Sequence, residues 1–364
     1  MSHSLIVQTK LASQFIEESW QKARTDAEQV MQAFDADFTE IHIAGCGDSF
    51  CAGYGLELAF NTWTERVTHA GTSLKVGRYR TPELRKTNRK ALVIGISVSG
   101  EVARTIEVID LANQAGAVTL CFTSDPNSTL AAKADAVLTL STPDLPHGPG
   151  LLGYLGSLLM GYAVCLAMAS AQNRNLISKS IEMVPDELEL WISKEQAKGI
   201  TSAERVAARD NVVIVGAGPD HGSAMFSAAK IVEACGVSSW GQDLEEWAHI
   251  EYFSEPSSMP TWLLSATGRS YGRELEIENA AKLIGRQIVV SRWGGWPGLN
   301  KITREAISPL LLWVGPTAYA AKLAEILGEE PFRGFGGGRS EVEGGGVSRI
   351  RSSARVESLN ELIG

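Results

Sequence analysis

An internal repeat constrains the fold of this chain more than any other feature of its sequence. Three short apolar runs of the first half recur in the same order in the second half, at offsets of 171, 168 and 170 residues. The paired runs are Ile41–Gly47 with Val212–Gly218, Ile96–Gly100 with Leu264–Gly268, and Ala117–Cys121 with Gln287–Ser291. A repeat of this length is large enough to be a domain, so the sequence predicts two copies of one fold.

Apolar strands alternate with helix-length amphipathic segments in each half of the chain. Arg104–Gln114 and Gly272–Ile284 are examples of such segments. This alternation is typical of βαβ units, and runs that are apolar throughout are typical of strands covered on both faces. We therefore predict an α/β fold in which each half is a parallel, doubly wound, flavodoxin-like sheet flanked by helices on both faces.

Composition excludes several classes of function. Lys and Arg total 33 against 42 Asp and Glu, which gives a net charge of −9 and argues against nucleic acid as a partner. The five cysteines form no CxxC pair and no cluster with histidine at metal spacing, so we expect no metal site. The apolar stretch Gly150–Ala171 is interrupted by glycines and tyrosines and predicts a buried helix rather than a membrane span. With no leader pattern at the N-terminus, we expect a cytoplasmic protein without a membrane partner.

Two strand-to-helix turns of the first half are the candidate ligand site, because open parallel sheets bind ligands at the carboxyl ends of their strands. Glycines there allow close backbone approach, and hydroxyls and helix N-termini supply donors to an anion such as a phosphate ester. A dinucleotide is disfavoured, because the first turn lacks a third glycine and Arg66–Ala70 lacks the acidic residue expected after a second strand. The residues predicted to bind the substrate phosphate are Gly47, Asp48, Ser49, Ser97, Val98, Ser99 and Gly100.

The motifs Cys46–Ser49, Ser97–Glu101 and Asn127–Ala131 together resemble the sugar isomerase (SIS) domain. Their tandem order resembles the isomerase half of glucosamine-6-phosphate synthase, over roughly residues 39–327. The resemblance implies that the first SIS domain holds a sugar phosphate on its serine-bearing loops and that the second contributes a catalytic helix. The predicted organisation is an N-terminal helical segment (1–38), a first SIS domain (39–175), a helical linker (176–209), a second SIS domain (210–328) and a Gly-rich C-terminal tail (329–364).

The same resemblance assigns catalytic roles in the second half. Lys230–Glu233 is similar to the Lys-x-x-Glu of the family, and Glu245–His249 is similar to its Gly-Glu-Leu-Lys-His segment. It implies that Glu233 moves a proton between C1 and C2, that Lys230 adjusts the charge of Glu233, and that His249 opens the sugar ring. From the residues alone, a Lys and a Glu three apart on a helix are more often a solvated pair, and the alternative for Glu245, Glu246 and Glu251 around His249 is surface charge.

The sequence departs from the family at several points. The chain begins Met1-Ser2-His3 where the synthase has a nucleophilic cysteine, so we expect no glutaminase domain. Val98 and Val102 stand where the phosphate loop normally has Gln and Thr, which predicts the loss of two polar contacts. The tail lacks the lysine that the family places over the sugar, and its glycines predict a mobile segment that orders over the site only when the site is occupied.

These features predict a phosphosugar isomerase or an amino-sugar-phosphate deaminase or deglycase, with no cofactor and no metal. The alternative is a non-catalytic regulatory protein that binds a sugar phosphate. Because the segment Trp240–Phe253 is unusually aromatic, we also expect a homodimer with shared active sites, in which His249 reaches the Ser49 and Ser97 pocket of the partner.

Overall fold

The chain divides into two compact units. The first comprises Gln14–Pro143, Leu152–Glu182 and Gly346–Gly364, and the second comprises Met1–Ser13, Asp144–Leu151 and Met183–Gly345. The structure is a computed structural model, and it describes residues 3–34, 37–85, 90–206, 211–330, 333–334, 337–343, 355–356 and 358–363.

Nine strands form two sheets in the described part of the chain, and every strand pair is parallel. The strands of the first unit are β1 (Glu40–Gly45), β2 (Val67–Thr72), β3 (Ala91–Ile96), β4 (Val118–Thr123) and β5 (Ala136–Thr139). Those of the second unit are β6 (Val212–Gly216), β7 (Ser239–Asp243), β8 (Pro260–Ser265) and β9 (Gln287–Arg292).

Helices occupy most of the connections between these strands. Up to the fifth strand they are α1 (Ser4–Phe34), α2 (Asp48–Trp63), α3 (Ser73–Lys75), α4 (Thr81–Leu84) and α5 (Ala103–Gln114). Next come α6 (Leu152–Met168), α7 (Ala171–Glu182), α8 (Val184–Glu204), α9 (Pro219–Cys235) and α10 (Leu244–His249). The last four are α11 (Tyr271–Leu283), α12 (Lys301–Ile307), α13 (Val314–Leu327) and α14 (Asn360–Ile363). A π-helix (Val76–Arg80) and two 3₁₀ helices (Glu251–Phe253 and Ser308–Leu310) complete the described helical structure.

Both sheets have the same winding. The strand order is β2-β1-β3-β4-β5 in the first unit and β7-β6-β8-β9 in the second, so the first strand of each unit lies between the next two. This is the flavodoxin-like order, in which the chain reverses direction across the sheet beside the first strand. The predicted fold class is confirmed, and the two repeats fold alike.

Burial on both faces of the sheets explains the continuous apolar runs. All residues of β1 and β3 are buried, and on one face Ala44 and Val93 pack with Val108 of α5. In the second unit Val213 and Val215 pack with the fully buried Trp247. Helices therefore cover both sheets, as apolar strands require.

The N-terminal segment predicted to be helical (1–38) forms one long helix, α1, which begins at Ser4. The Gln8 side chain donates to the Pro149 carbonyl at 2.8 Å and accepts from the Leu151 backbone at 2.7 Å. These two buried hydrogen bonds tie the first turns of α1 to residues 144–151, a tertiary contact that local periodicity does not report.

Part of the tail, predicted to be mobile, packs on the first unit. The backbone N–H of Val356 donates to Glu107 at 2.9 Å, that of Leu359 donates to Gln114 at 2.8 Å, and Leu359 is buried. Its glycine-rich middle, residues 344–354, lies outside the described residues. The end of the tail is therefore fixed on α5 by one apolar side chain and two backbone hydrogen bonds.

One helical run among the described residues has the length and composition of a membrane span. It is Lys301–Leu327, and 78% of its most apolar window is buried inside the protein, as in the core helix of a soluble protein. The stretch predicted as a buried helix forms α6, which is buried along most of its length.

Candidate functional site

The loop after β1 is shaped by two glycines. Gly47 precedes α2 with φ 56° and ψ −127°, a conformation that favours glycine, and a Cβ on Gly45 would overlap the backbone of Ser49. The tight turn places Asp48 and Ser49 in the first turn of α2, where the partial positive charge of the helix lies. Ser49 is buried to 7% exposure. The loop thus brings a hydroxyl and a helix N-terminus to the carboxyl end of β1.

The loop after β3 lies directly beside it, because Gly45 and Ile96 are paired in the parallel register. Ser97 is almost completely buried, and its hydroxyl has no hydrogen-bond partner among the described residues. Within the same part of the chain, the backbone N–H groups of Val98 and Ser99 donate to no acceptor. Buried polar groups are usually paired, so the unused Ser97 hydroxyl, followed by two open N–H groups at the half-buried Val98 and the exposed Ser99, marks a place for a ligand.

Residues after β4 fix this loop from its other side. The Val98 carbonyl accepts from the Ser124 backbone at 2.9 Å, and the Gly100 carbonyl accepts from Leu130 at 3.0 Å. The carboxylate of Glu101 accepts from the backbone and hydroxyl of Thr129, and these hydrogen bonds lower its pKa. The carbonyls of Val98 and Gly100 are thereby held by neighbours, while the N–H groups of Val98 and Ser99 stay available.

Val98 has a packing role. A Cβ on Gly153, at the start of α6, would lie 3.1 Å from the Val98 side chain, so the valine packs closely against this helix. Val98, which was predicted only to lose the polar contact of the glutamine found in the family, therefore makes an apolar contact with α6. Only the backbone of Val98 remains as a donor to a ligand.

Lys230 and Glu233 form an ion pair on α9. The Lys230 ammonium is fully buried and donates to Glu233 at 2.7 Å, whereas the Glu233 side chain is 37% exposed. The ammonium also lies 5.0 Å from the ring centroid of Phe226. The pair predicted from the i, i+3 spacing thus exists, with a buried cation behind an accessible carboxylate.

His249 ends α10, a short helix capped by the Asp243 carboxylate. Its side chain is 66% exposed, and its Nε2 lies 3.3 Å from Glu245. A hydrogen bond from Arg273 lowers the pKa of Glu245. Trp247 of the same helix is fully buried and anchors it, while Glu245 and Glu246 are exposed. Among the predicted catalytic residues, Glu233 and Lys230 are thus together on one helix, and His249 lies at the exposed end of another.

Two residues with polar roles at these loops were missed by the sequence reasoning. Asp220 occupies the place of Ser49 under the 171-residue offset, and its buried carboxylate accepts from the backbone of Ala266 at 2.7 Å. The repeat offset is the sequence signal that could have identified Asp220. Ser128 packs so closely that a Cβ on Gly100 would overlap its hydroxyl, and only the fold reveals this contact.

No group of three or more His, Cys, Asp or Glu side chains suited to holding a metal ion occurs in the part of the chain that the structure describes.

Comparison with known proteins shows what this architecture is similar to. Residues 36–171 match the SIS domain. A glutamine–fructose-6-phosphate aminotransferase (isomerizing) from Streptococcus pneumoniae is 26% identical over 249 residues, which cover 67% of this chain but only 40% of that relative. This chain therefore spans less than half of the length of that curated relative.

Two solved structures share the fold. The C-terminal domain of glucosamine-fructose-6-phosphate aminotransferase from Francisella tularensis aligns with a TM-score of 0.76 at 15% identity, covering 91% of this chain and 98% of that one. A glucosamine-6-phosphate deaminase from Thermotoga maritima aligns with a TM-score of 0.62 at 16% identity, covering 88% and 96%.

Asp220 gives a pH-dependent prediction. Burial raises its pKa to about 7, so the folded protein keeps this proton between about pH 4 and pH 7 while the unfolded chain releases it. Wild-type stability should therefore fall as pH rises through this range. Asp220→Asn has no proton to lose in this range, so its stability should not fall in the same way. The unfolding free energy of the variant minus that of wild type should therefore increase by about 1 kcal/mol or more from pH 5 to pH 7 and then level off.

Urea denaturation at several pH values measures this difference. Asp186→Asn, at an exposed position in the first turn of α8, is the control and should show little pH dependence. A difference between Asp220→Asn and wild type that stays constant with pH would contradict the assignment.

Proposed function

We propose that this protein converts a sugar phosphate or amino-sugar phosphate by proton transfer between C1 and C2. The premise is that residues 36–171 are a SIS domain and that the chain is homologous to the isomerase part of glutamine–fructose-6-phosphate aminotransferase. The product is formed by isomerisation or by removal of an amino substituent. The names of the relatives support both, since one is an isomerizing aminotransferase and another is an amino-sugar-phosphate deaminase.

The observation that carries the proposal is the set of unused donors after β3. The Ser97 hydroxyl and the N–H groups of Val98 and Ser99 have no acceptor among the described residues. They lie beside the N-terminus of α2, at the point where the strand order reverses. A phosphate there gains charge-assisted hydrogen bonds and a favourable helix dipole, with no lysine or arginine required.

The second unit supports the chemical step. Glu233 has an exposed carboxylate backed by a buried ammonium, so it is accessible to a C–H bond and compensated in charge while ionised. In this role Glu233 moves a proton between C1 and C2, and Lys230 positions the carboxylate. His249, exposed at the end of α10, gives and takes the protons of the ring oxygen and hydroxyl.

The direct test is to incubate the protein with ketose phosphates, aldose phosphates and fructosamine phosphates in heavy water. Mass spectrometry then reports deuterium incorporation, isomerised product and released amine. Binding of these phosphates without exchange or turnover would favour the non-catalytic regulatory alternative.

Ser97→Ala and Ser99→Ala test the anion site. Each removes a hydroxyl at the donor set, and each should weaken binding of the phosphorylated ligand by about 1.5–3 kcal/mol because hydrogen bonds to charged groups are strong. Calorimetry with the active ligand and circular dichroism measure affinity and folding. Ser193→Ala is the control, since this exposed serine bonds only within α8. Unchanged affinity in the Ser97→Ala/Ser99→Ala protein would remove the hypothesis.

Glu233→Gln tests the base. Glutamine keeps the volume and accepts a hydrogen bond from Lys230 but takes up no proton, so turnover should fall by about 100-fold or more with little change in affinity. Glu325→Gln is the matched control, because Glu325 pairs with Lys322 at the same i, i+3 spacing on an exposed face of α13. Wild-type turnover in Glu233→Gln would reassign the base.

Shared active sites give a further expectation. If each site of a homodimer takes Glu233 from one chain and His249 from the other, mixing inactive Glu233→Gln and His249→Ala proteins restores one site per heterodimer. Activity should then recover to about a quarter of wild type, since about half the dimers are mixed and each has one of two sites intact. Steady-state turnover after subunit exchange, with exchange verified by native mass spectrometry, measures the recovery. No recovery would show that the two residues do not serve different chains.

A further inference from the structure

The second unit repeats the loop geometry of the first. Gly218 precedes α9 with φ 54° and ψ −127°, within 2° of the φ value of Gly47 and with the same ψ. A Cβ on Gly216 would overlap the backbone of Asp220, as one on Gly45 would overlap that of Ser49. The backbone that forms an anion cradle in the first unit is therefore present twice.

The N–H groups of the second cradle are already in use. Ala266, at the position of Val98, donates to the Asp220 carboxylate at 2.7 Å. Arg269, at the position of Glu101, donates its backbone N–H to Glu305 and its Nε to the same carboxylate at 2.7 Å. Both carboxylates are buried, at 3% and 7% exposure. The N–H at the position of the open Val98 N–H is therefore taken by Asp220. The N–H at the position of Glu101, which in the first unit donates to the Ser99 hydroxyl, is taken by Glu305.

Hydroxyls make the corresponding contacts in the first unit. Asp220 stands where the first unit has Ser49. Glu305 of α12 contacts Gly268 and Ser128 of the turn after β4 contacts Gly100, since a Cβ on either glycine would overlap the side chain. Asp220 therefore replaces a hydroxyl at an equivalent position, whereas Glu305 and Ser128 reach equivalent glycines from different elements.

We propose that the buried side chains of Asp220 and Glu305 occupy the place of a bound anion, so that the second cradle is a latent phosphate site closed by the chain's own carboxyl groups. The first cradle is then the one open site, and each chain binds one sugar phosphate. The statement about the first cradle rests on the proposed function; the statement about the second rests on the contacts of Asp220 and Glu305 alone.

The carboxyl groups around the second cradle disfavour binding of a free anion there. Burial raises the pKa of Asp220, and the neighbouring carboxylates Glu274 and Glu305 raise it further, while the Ser308 hydroxyl and the Ala266 backbone lower it. Arg269 compensates Glu305, and Arg292 lies near Glu274. A phosphate entering this cluster would meet the carboxyl groups of Asp220, Glu274 and Glu305. The first cradle has the hydroxyls of Ser49 and Ser128 at the corresponding contacts, and its Glu101 carboxylate is engaged by Thr129.

The test converts the second cradle into the first. In Asp220→Ser/Glu305→Ser, both carboxylates are replaced by the side chain that the first unit uses, which frees the N–H groups of Ala266 and Arg269 and the Arg269 guanidinium. Titration with inorganic phosphate, followed by calorimetry and phosphorus NMR, should show one site per chain in wild type and two in the variant. Glu276→Ser, at an exposed position of the same unit, should leave the number at one.

Adding Ser97→Ala/Ser99→Ala separates the two cradles. Wild type with these changes should lose its phosphate site, while Asp220→Ser/Glu305→Ser with these changes should keep one. If wild type binds no phosphate but Asp220→Ser/Glu305→Ser binds one, the proposed function fails and the latent site stands. A folded Asp220→Ser/Glu305→Ser protein with no additional site overturns the inference, as does phosphate held by Ala266 and Arg269 in wild type.

A second variant guards against loss of folding. Should the double variant fail to fold by circular dichroism, Glu305→Ser alone still frees Arg269 and its backbone N–H, and it should create a weak second phosphate site. Absence of that site in the folded Glu305→Ser protein overturns the inference equally.

Discussion

The parallel pairing of β1 with β3 is the constraint on which the site depends. Because Gly45 and Ile96 are partners, the loops that follow them end at the same edge of the sheet. The helices that follow cover the sheet on both sides, and the polar ends of the loops are left between them. The same pairing of β6 with β8 builds the equivalent edge of the second unit, so one sheet geometry generates both cradles.

Much of this fold could be predicted from the sequence because it depends on patterns that survive in a single strand or turn. Apolar runs such as Ile41–Gly47 report burial on both faces, and their recurrence reports a second copy. The positive φ of Gly47 follows from the tight turn that its sequence context demands. The pairing of Lys230 with Glu233 follows from helix geometry alone. Each of these features depends on residues that are close together in the sequence, or on the recurrence of such a group of residues.

Other features depend on contacts between distant residues. Leu359 is buried although its own segment has little apolar pattern, and its backbone N–H donates to Gln114 of α5, 245 residues earlier. Val98 was interpreted as a lost polar contact, yet its neighbour is Gly153, 55 residues later. Glu305 meets Arg269 across 36 residues. Hydrophobic periodicity and residue propensity do not specify contacts between residues so far apart in sequence, so these contacts could be identified only from the structure.

A tethered carboxylate differs from a dissolved phosphate in one thermodynamic respect. A ligand stabilises its binding site in proportion to the logarithm of its concentration, whereas Asp220 and Glu305 are present at their loop whenever the chain is folded. On the proposed assignment, the order of the second cradle would not depend on the concentration of any ligand. Only the first cradle would gain order when a phosphate is supplied, so the two copies of one fold would differ in their response to the same ligand.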